Sequence, residues 1–288
     1  MKENTKAYFY ALSAILFWST VATAFKITLR YLSYINLLLY SSLFSTIILF
    51  IILFSQEKLI LLKKMSYHQW INSLFLGLLN PFLYYLVIFK AYSILPAQEA
   101  QTLNYTWPIV LVILSGIILG QKITYKNIVA LFIGFFGVLT IATHGNLKSF
   151  SFSDPLGVLL AIVSPFIWAT FWIYNVRDER DEVTKLFCNF LIGFLFTLLF
   201  SLVFHINFHI SSYALWGSLY IGAFEMSITF TLWLKALTLA KTTAKIGNLV
   251  FLTPFLSLVF IHLIIGEVIL PSTILGLVFI VVSIVINS

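Results

Sequence analysis

Charged residues make up only 9 % of this 288-residue chain, where a soluble domain carries about 25 %. A chain so poor in charge cannot cover a water-facing surface. That excludes an ordinary cytosolic enzyme, a disordered protein and a nucleic-acid-binding module. With a single cysteine, Cys188, neither an internal disulfide nor a Cys-rich metal site can form. Cys188 lies in an apolar stretch and reads as a small buried residue. There is no GxxxxGK[ST] phosphate loop, so ATP is not expected to drive the protein. The lack of HExxH and of a DDxxD-type acidic cluster argues against a metalloprotease and a prenyl-transferring membrane enzyme. His205 and His209 have i, i+4 spacing but no neighbouring carboxylate, and His262 stands alone, so no metal or cofactor is expected. The first apolar run lacks a small-residue cleavage site followed by a soluble body. It therefore reads as a span and not as a cleaved signal peptide.

What the chain has in quantity is apolar surface: 61 % hydrophobic residues and a mean hydropathy of +1.02. A membrane-crossing helix needs about 20 mostly apolar residues. Ten such segments can be laid along the sequence, starting near Ala7, Tyr34, Trp70, Leu95, Lys126, Asp154, Lys185, Ala214, Thr242 and Pro271. Polar punctuation at 56–64, 120–126, 144–154 and 177–185 marks the edges, and the connections are too short for a soluble domain. The expected fold is all-α, a polytopic protein of the lipid bilayer with ten transmembrane helices.

Charge then sets orientation. The net charge is +7, and excess Lys and Arg gather in cytoplasmic loops. With the N-terminus inside, Lys2, Lys6, Lys58, Lys63, Lys64, Lys122, Lys126, Arg177, Arg180, Lys185, Lys235, Lys241 and Lys245 fall inside. Lys26, Arg30, Lys90 and Lys148 fall outside. Thirteen against four places both termini in the cytoplasm. The dense run Arg177-Asp178-Glu179-Arg180-Asp181-Glu182 reads as a solvated link between two halves.

Self-comparison supports those halves. ALSAILFWST at 11–20 resembles AIVSPFIWAT at 161–170 at a shift of 150. Lys90-Ala91 meets Lys235-Ala236 at a shift of 145. Pro108 and Gly120 meet Pro254 and Gly266 at 146, with Gln121 opposite Glu267. The matches keep their order and indicate a duplication, with one five-helix repeat at 1–146 and a second at 147–288. Five is odd, so the second repeat enters the membrane inverted. Inverted repeats are a recurring design of secondary transporters, with the substrate site at the repeat interface near the midplane.

On these residues the chain resembles the EamA-type transporters of the drug/metabolite transporter superfamily. The family pattern of an apolar run with proline followed by Leu-Gly-Glu is visible as Pro108…Leu119-Gly120-Gln121-Lys122 and as Pro254…Ile265-Gly266-Glu267. The first copy departs from it at Gln121. Glu99-Ala-Gln-Thr-Leu-Asn104-Tyr105-Thr106-Trp107-Pro108, with Phe17-Trp18-Ser19-Thr20 and with Trp233 and Thr253-Pro254, is similar to the bacterial aromatic amino-acid exporter branch. The resemblance implies a bacterial inner-membrane carrier and amino-acid export.

Ionisable and polar residues inside a bilayer are costly and tend to face a cavity or a partner. Glu225 lies roughly 16 Å along its span at 1.5 Å per residue, near the midplane. It is a candidate to titrate a proton or to bind a substrate amine. Glu99, near the start of its helix, is a candidate for the outer mouth or for coupling. Gln101, Asn104, Tyr105 and Pro108 share one helical face by their i, i+3, i+4, i+7 spacing. Asn and Gln there can hydrogen-bond an amino acid. Trp18 and its repeat counterpart Trp168, with Trp107, Trp233, Tyr84 and Tyr85, offer aromatic faces for stacking or for a cation. Pro81, Pro108, Pro165 and Pro254 can kink their helices, and the repeat-matched Pro108 and Pro254 are candidate gating points. Lys90 and Lys235 read as snorkelling side chains. The whole reads as a non-enzymatic secondary transporter moving a small organic metabolite by alternating access. Amino-acid export with proton coupling is the leading case. The alternatives are uptake of a nucleoside or cofactor, an intramembrane enzyme, or a non-transporting assembly protein.

Overall fold

A computed structural model of the chain describes residues 2–120, 124–146, 153–239 and 248–287. Among the described residues every regular element is helical. The elements are α1 (Lys2–Thr28), α2 (Tyr34–Ser55), α3 (Leu59–Lys63), α4 (Tyr67–Gly77), α5 (Tyr84–Ile94), α6 (Ala97–Asn104), α7 (Trp107–Leu119), α8 (Tyr125–Ala142), α9 (Pro155–Arg177), α10 (Glu182–Val203), α11 (Ser212–Phe224), α12 (Ile228–Leu239), α13 (Leu252–Phe260) and α14 (Pro271–Asn287). Among the described residues seven helical stretches are long and apolar enough to cross a membrane, from Thr5–Thr28 to Glu182–Val203, and shorter apolar helices follow at Leu252–Ile265 and Pro271–Ile286. The chain is a multi-pass membrane protein. Gln121, Lys122, Lys148, Lys241, Thr242 and Lys245, used above for spans, charge and repeat, lie outside the described residues.

The polar punctuation works as helix caps. Ser33 accepts from Asn36 N, Asp154 from Gly157 N, Asp181 from Thr184 N and Ser211 from Ala214 N. Ser66 with Gln69, and Thr124 with Asn127, close full capping boxes. In a membrane such caps matter because the first N–H groups of a helix have no intrahelical acceptor. At the other end, α7 stops at Gly120 (φ +67°) and the π-helical turn Ile261–Ile265 stops at Gly266 (φ +80°). Both take the left-handed conformation that glycine adopts at least cost.

Three segments expected as continuous helices are broken. A π-helical turn, Leu78–Leu83, separates α4 from α5, and Asn80 leaves helical geometry there (φ −146°, ψ 119°). The chain breaks again at Tyr105 and Thr106, between α6 and α7, and between α11 and α12, where Glu225 ends α11. The second break corrects the expectation of one face carrying Gln101 through Pro108. Proline lacks the N–H that would bond the carbonyl four residues back. Pro108 therefore sits in the first turn of α7, where that donor is not required, and does not kink a continuous helix. Pro254 likewise lies in the first turn of α13, and Pro165 lies in the middle of α9.

The main packing joins one part of the chain to the other: α1 with α12, α2 with α10 and α11, α5 with α9, and α8 with α14. Two contacts, of α4 with α10 and of α2 with α11, are very close. A Cβ on Gly77 would stand 2.6 Å from Asn189 O in α10, and a Cβ on Gly222 would stand 2.6 Å from Ser41 O in α2. Glycine is required for backbones to approach so closely.

The charged run 177–182 is solvated only in part: Arg177, Glu179 and Glu182 are exposed, whereas its inner charges are paired. Asp178 and Arg180 are a buried pair, their side chains 4 % and 6 % exposed. Arg180 Nη2 donates to Asp178 Oδ2 at 2.5 Å, its Nη1 to Ser73 Oγ at 2.8 Å, and Asn72 Nδ2 reaches the same carboxylate at 2.9 Å. Lys58 bonds Asp181 at 2.5 Å. Burial opposes ionisation of both aspartates. The hydrogen bonds and positive charge of Arg180 at Asp178, and of Lys58 with the Thr184 N–H at Asp181, outweigh it and hold both carboxyls below the ordinary range. The sequence suggested water because the run is polar. The physical outcome differs because α4 supplies partners, and a paired charge no longer needs bulk solvent.

Candidate functional site

The helix breaks gather polar groups at the centre of the bundle. Trp18, Val21 and Phe25 of α1, Tyr84, Ile88 and Tyr92 of α5, Gln101 and Asn104 of α6, Tyr105, Trp107, Trp168 of α9, Glu225, Val250 and Thr253 line one cavity of about 100 Å³. Non-helical backbone at membrane depth is tolerated where it is buried in protein or lines a cavity. Glu225 and Tyr105 both stand at such breaks.

Glu225 is 8 % exposed and accepts a hydrogen bond from Tyr85 Oη at 3.0 Å. The other phenols also donate to the protein. Tyr84 bonds Asn104 Oδ1 at 3.3 Å, Tyr92 bonds Gln101 Oε1 at 2.7 Å, and Tyr105 bonds Val250 O. Asn104 Nδ2 in turn donates to Ser164 Oγ at 2.8 Å. Aromatic rings wall the space. Trp168 lies 4.6 Å from Tyr84 and 5.7 Å from Phe230, and Trp18 lies 5.4 Å from Trp233, ring centre to ring centre.

A second space of about 530 Å³ shares Trp18, Trp107, Trp168 and Val250 with the first. It continues past Leu111, Ser115, Trp172 and Trp233 to Leu119 and Arg177, the ends of α7 and α9. Among the described residues the cavity thus adjoins a space that runs toward the face on which those helices end.

The opposite side is shut. Phe25 packs edge-on against Phe89 and Tyr92. Beyond them Lys26 Nζ donates to Tyr92 O at 3.0 Å and Leu95 O at 2.5 Å. Glu267 accepts from Ala97 N at 2.9 Å and Gln98 N at 3.2 Å, capping α6 with a carboxylate. The Gln98 amide, 5 % exposed, bonds Val268 O, Leu270 N and Thr273 Oγ1.

The structure therefore brings Trp18, Tyr84, Gln101, Asn104, Tyr105, Trp107, Trp168 and Glu225 to one cavity, and sets Trp233 in the adjoining space. Glu99 is elsewhere. It is 1 % exposed, bonded to His144 Nε2 at 2.6 Å and to Ser153 Oγ, on the shut side. Pro108 and Pro254 do not line the cavity. Val21, Phe25, Ile88, Tyr92 and Val250 were not singled out from sequence. Tyr92 carried a signal: Tyr84, Ile88 and Tyr92 repeat at i, i+4, i+8 and so share a helical face. Among the described residues no three His, Cys, Asp or Glu side chains are grouped as a metal site. Lys90 and Lys235 lie over the rings of Tyr34 and Tyr10, 5.1 and 5.9 Å from their centres, away from the cavity.

Two stretches, 5–143 and 155–288, each match the EamA-like transporter family. The chain belongs to that family. An uncharacterized transporter of Archaeoglobus fulgidus is 25 % identical over 261 residues, 89 % of this chain and 88 % of that protein. The uncharacterized transporter YvbV of Bacillus subtilis is 25 % identical over 75 % of this chain and 70 % of its own length. An uncharacterized transporter of Acidianus ambivalens, from the sor 3′ region, is 27 % identical over 59 % of this chain; the match spans 66 % of that protein. A solved crystal structure shares the fold, with a TM-score of 0.69 at 19 % identity over 99 % of this chain and 96 % of that one. A membrane transporter acting on a small molecule is what this EamA-family membership indicates.

Proposed function

We propose that the protein is a secondary carrier that moves a small amine-bearing metabolite across a cytoplasmic membrane by alternating access. Amino acids are the first class to test. The observation that carries this reading is the central cavity, which holds one carboxylate among aromatic and amide groups, continues toward one face and is shut toward the other. A carrier caught on one side of its cycle has that form.

The reading includes ten spans arranged as two inverted five-helix repeats, 1–146 and 147–288. Four observations support it. Residues 11–20 and 161–170 fall in the same burial class at eight of ten positions. The contact of Gly77 with Asn189 has a counterpart in that of Gly222 with Ser41, at the residue shifts of the repeat. Gly120 and Gly266 both end helices in the left-handed conformation. Asn80, at the first break, stands 145 residues before Glu225 at the third. On this pairing only the second repeat carries a carboxylate at the break, which gives an otherwise symmetric device one titratable centre. Cytoplasmic termini are supported by the thirteen-to-four basic bias. Export and the bacterial inner membrane are favoured by the resemblance of the Asn104–Pro108 motif and the Trp18 segment to the exporter branch.

The test is flux of radiolabelled amino acids and amines into liposomes holding the purified protein, with and without a pH gradient. Saturable, gradient-sensitive uptake that Glu225→Gln abolishes or uncouples is expected. Unchanged, still pH-dependent flux in Glu225→Gln removes the proton role. Absence of any saturable flux of these compounds, with the protein folded, removes the amine and amino-acid substrate class.

A further inference from the structure

The two helix breaks that the repeat pairs, at Asn80 and at Glu225, are not equally satisfied. Glu225 lines the cavity and accepts the Tyr85 hydroxyl. Asn80 is 0 % exposed, and neither atom of its side-chain amide has a hydrogen-bond partner among the described residues. A buried amide left unpaired is costly, and a native chain that keeps one does so for a reason.

The repeat accounts for the missing partner. The shift of 145 that takes Asn80 to Glu225 also takes Tyr85 to Phe230. The mate of the bond from Tyr85 to Glu225 would run from Phe230 to Asn80, and phenylalanine has no hydroxyl to donate. Phe230 is packed instead on Trp18, Trp168 and Trp172. The position that satisfies Glu225 therefore supplies nothing polar to Asn80.

The two breaks are held by the same kind of contact. Beside Asn80, Gly77 lies against Asn189 and Gly193 of α10; beside Glu225, Gly222 lies against Ser41 and Ser45 of α2. They differ in what they face. Glu225 lines the cavity and Asn80 does not, although Tyr84, four residues after Asn80, does. Two inverted repeats that alternate between two shapes exchange them when the open face changes. Asn80 stands outside helical geometry (φ −146°, ψ 119°). A residue at the end of an element can absorb the dihedral change that redirects its side chain.

Resting on the carrier and inverted-repeat reading above, we propose that Asn80 contacts the substrate in the opposite state, the one open at the Glu99 face. There it takes the place that Glu225 holds in the described state. An amide offers two donors and an acceptor and carries no charge. The polar head of the substrate thus passes from a carboxylate to an amide as the open face changes. The amide that is unpaired in one state is paired in the other.

Cysteine labelling of the full-length protein in sealed vesicles tests this, with a membrane-impermeant maleimide as the probe and Cys188→Ser as the background. Asn104→Cys, at a cavity position, reports opening at either face. Asn80→Cys is expected to react from the Glu99 face, and about tenfold or more slowly from the face on which α7 and α9 end. Reaction from the α7 and α9 face at the Asn104→Cys rate overturns the inference. So does a lack of reaction from the Glu99 face while Asn104→Cys reacts there; either result leaves the carrier reading standing. If Asn104→Cys itself never reacts from the Glu99 face, the second state is absent and both readings fall. Asn80→Leu decides the matter where the cysteine variant does not fold. A side chain of like size without polar atoms favours the described state, so its unfolding temperature should rise. Labelling of Asn104→Cys from the Glu99 face should then slow about fivefold or more. A higher unfolding temperature with an unchanged labelling rate assigns Asn80 to a structural water alone and overturns the inference. A lower unfolding temperature overturns it too, because the amide was then already paired in the described state.

Discussion

Replacing Gly222 by alanine isolates one physical term. Helix propensity alone favours alanine by about 1 kcal/mol, so an unpacked site would gain stability. At this site the new Cβ would stand 2.6 Å from Ser41 O, 2.9 Å from Phe44 Cβ and 3.0 Å from Ser45 N. Carbon and carbonyl oxygen rest at about 3.3–3.6 Å even in favourable contacts, so α2 and α11 must part by roughly 0.7 Å. Two of the three atoms are backbone and cannot rotate away. Overpacking of this kind costs about 1–3 kcal/mol. The shift also pulls at the bond from Ser45 Oγ to Met226 O, 3.1 Å, which carries a net value of about 1 kcal/mol. After the propensity gain, a net loss of about 1–3 kcal/mol remains. Without such a bond beside it, Gly77→Ala is expected to lose about 0–2 kcal/mol by the same balance, since Asn189 O, Ile192 Cγ2 and Gly193 N lie at 2.6, 3.0 and 3.1 Å. Thermal unfolding in detergent, followed by tryptophan fluorescence, reads both. If either variant unfolds at a higher temperature than the parent, the close approach is absent and propensity has won.

Arg180→Met leaves Asp178 buried and unpaired and is expected to cost about 3–5 kcal/mol; adding Asp178→Asn should restore part of this, measured as a double-mutant cycle of unfolding. The Asp178 and Asp181 carboxyls are held below their ordinary range, so their contribution is complete above the unfolded value of about pH 3.9 and is lost as pH falls through the lower folded values. Unfolding midpoints measured downward from pH 6 should therefore drop in the parent below about pH 4, and less so in Asp178→Asn. Lys58→Ala, by contrast, breaks a pair one-quarter to one-third exposed and should cost at most about 1 kcal/mol. Glu267→Ala removes the carboxylate cap of α6, an interaction worth about 1 kcal/mol, and should raise the fraction opened at the Glu99 face about fivefold. A cysteine at Asn104, in a Cys188→Ser background, should then react correspondingly faster with a membrane-impermeant thiol reagent applied from that face. An unchanged rate would show that the cap does not hold the face shut.

The sequence by itself determined that this chain lives in a bilayer, because 9 % charge leaves no other solvent for its surface. It also carries the caps at which six helices start. Ser33, Ser66, Thr124, Asp154, Asp181 and Ser211 are short polar side chains at the edges of apolar runs, and capping is a local interaction readable from neighbours. Aromatic and polar residues at mid-span pointed to a cavity, because their burial in lipid is costly wherever they go. What only the tertiary structure decided depends on partners far along the chain. The helix breaks at Asn80, Tyr105 and Glu225 are tolerated because other helices cover them, and no local pattern reports that cover. The Asp178–Arg180 pair is buried because Asn72 and Ser73 arrive from α4. The direction in which Tyr84, Tyr92 and Tyr105 spend their protons depends on acceptors 20, 9 and 145 residues away. Composition fixes the solvent and the caps fix the helices, whereas the chemistry of the cavity is set by which distant groups meet there.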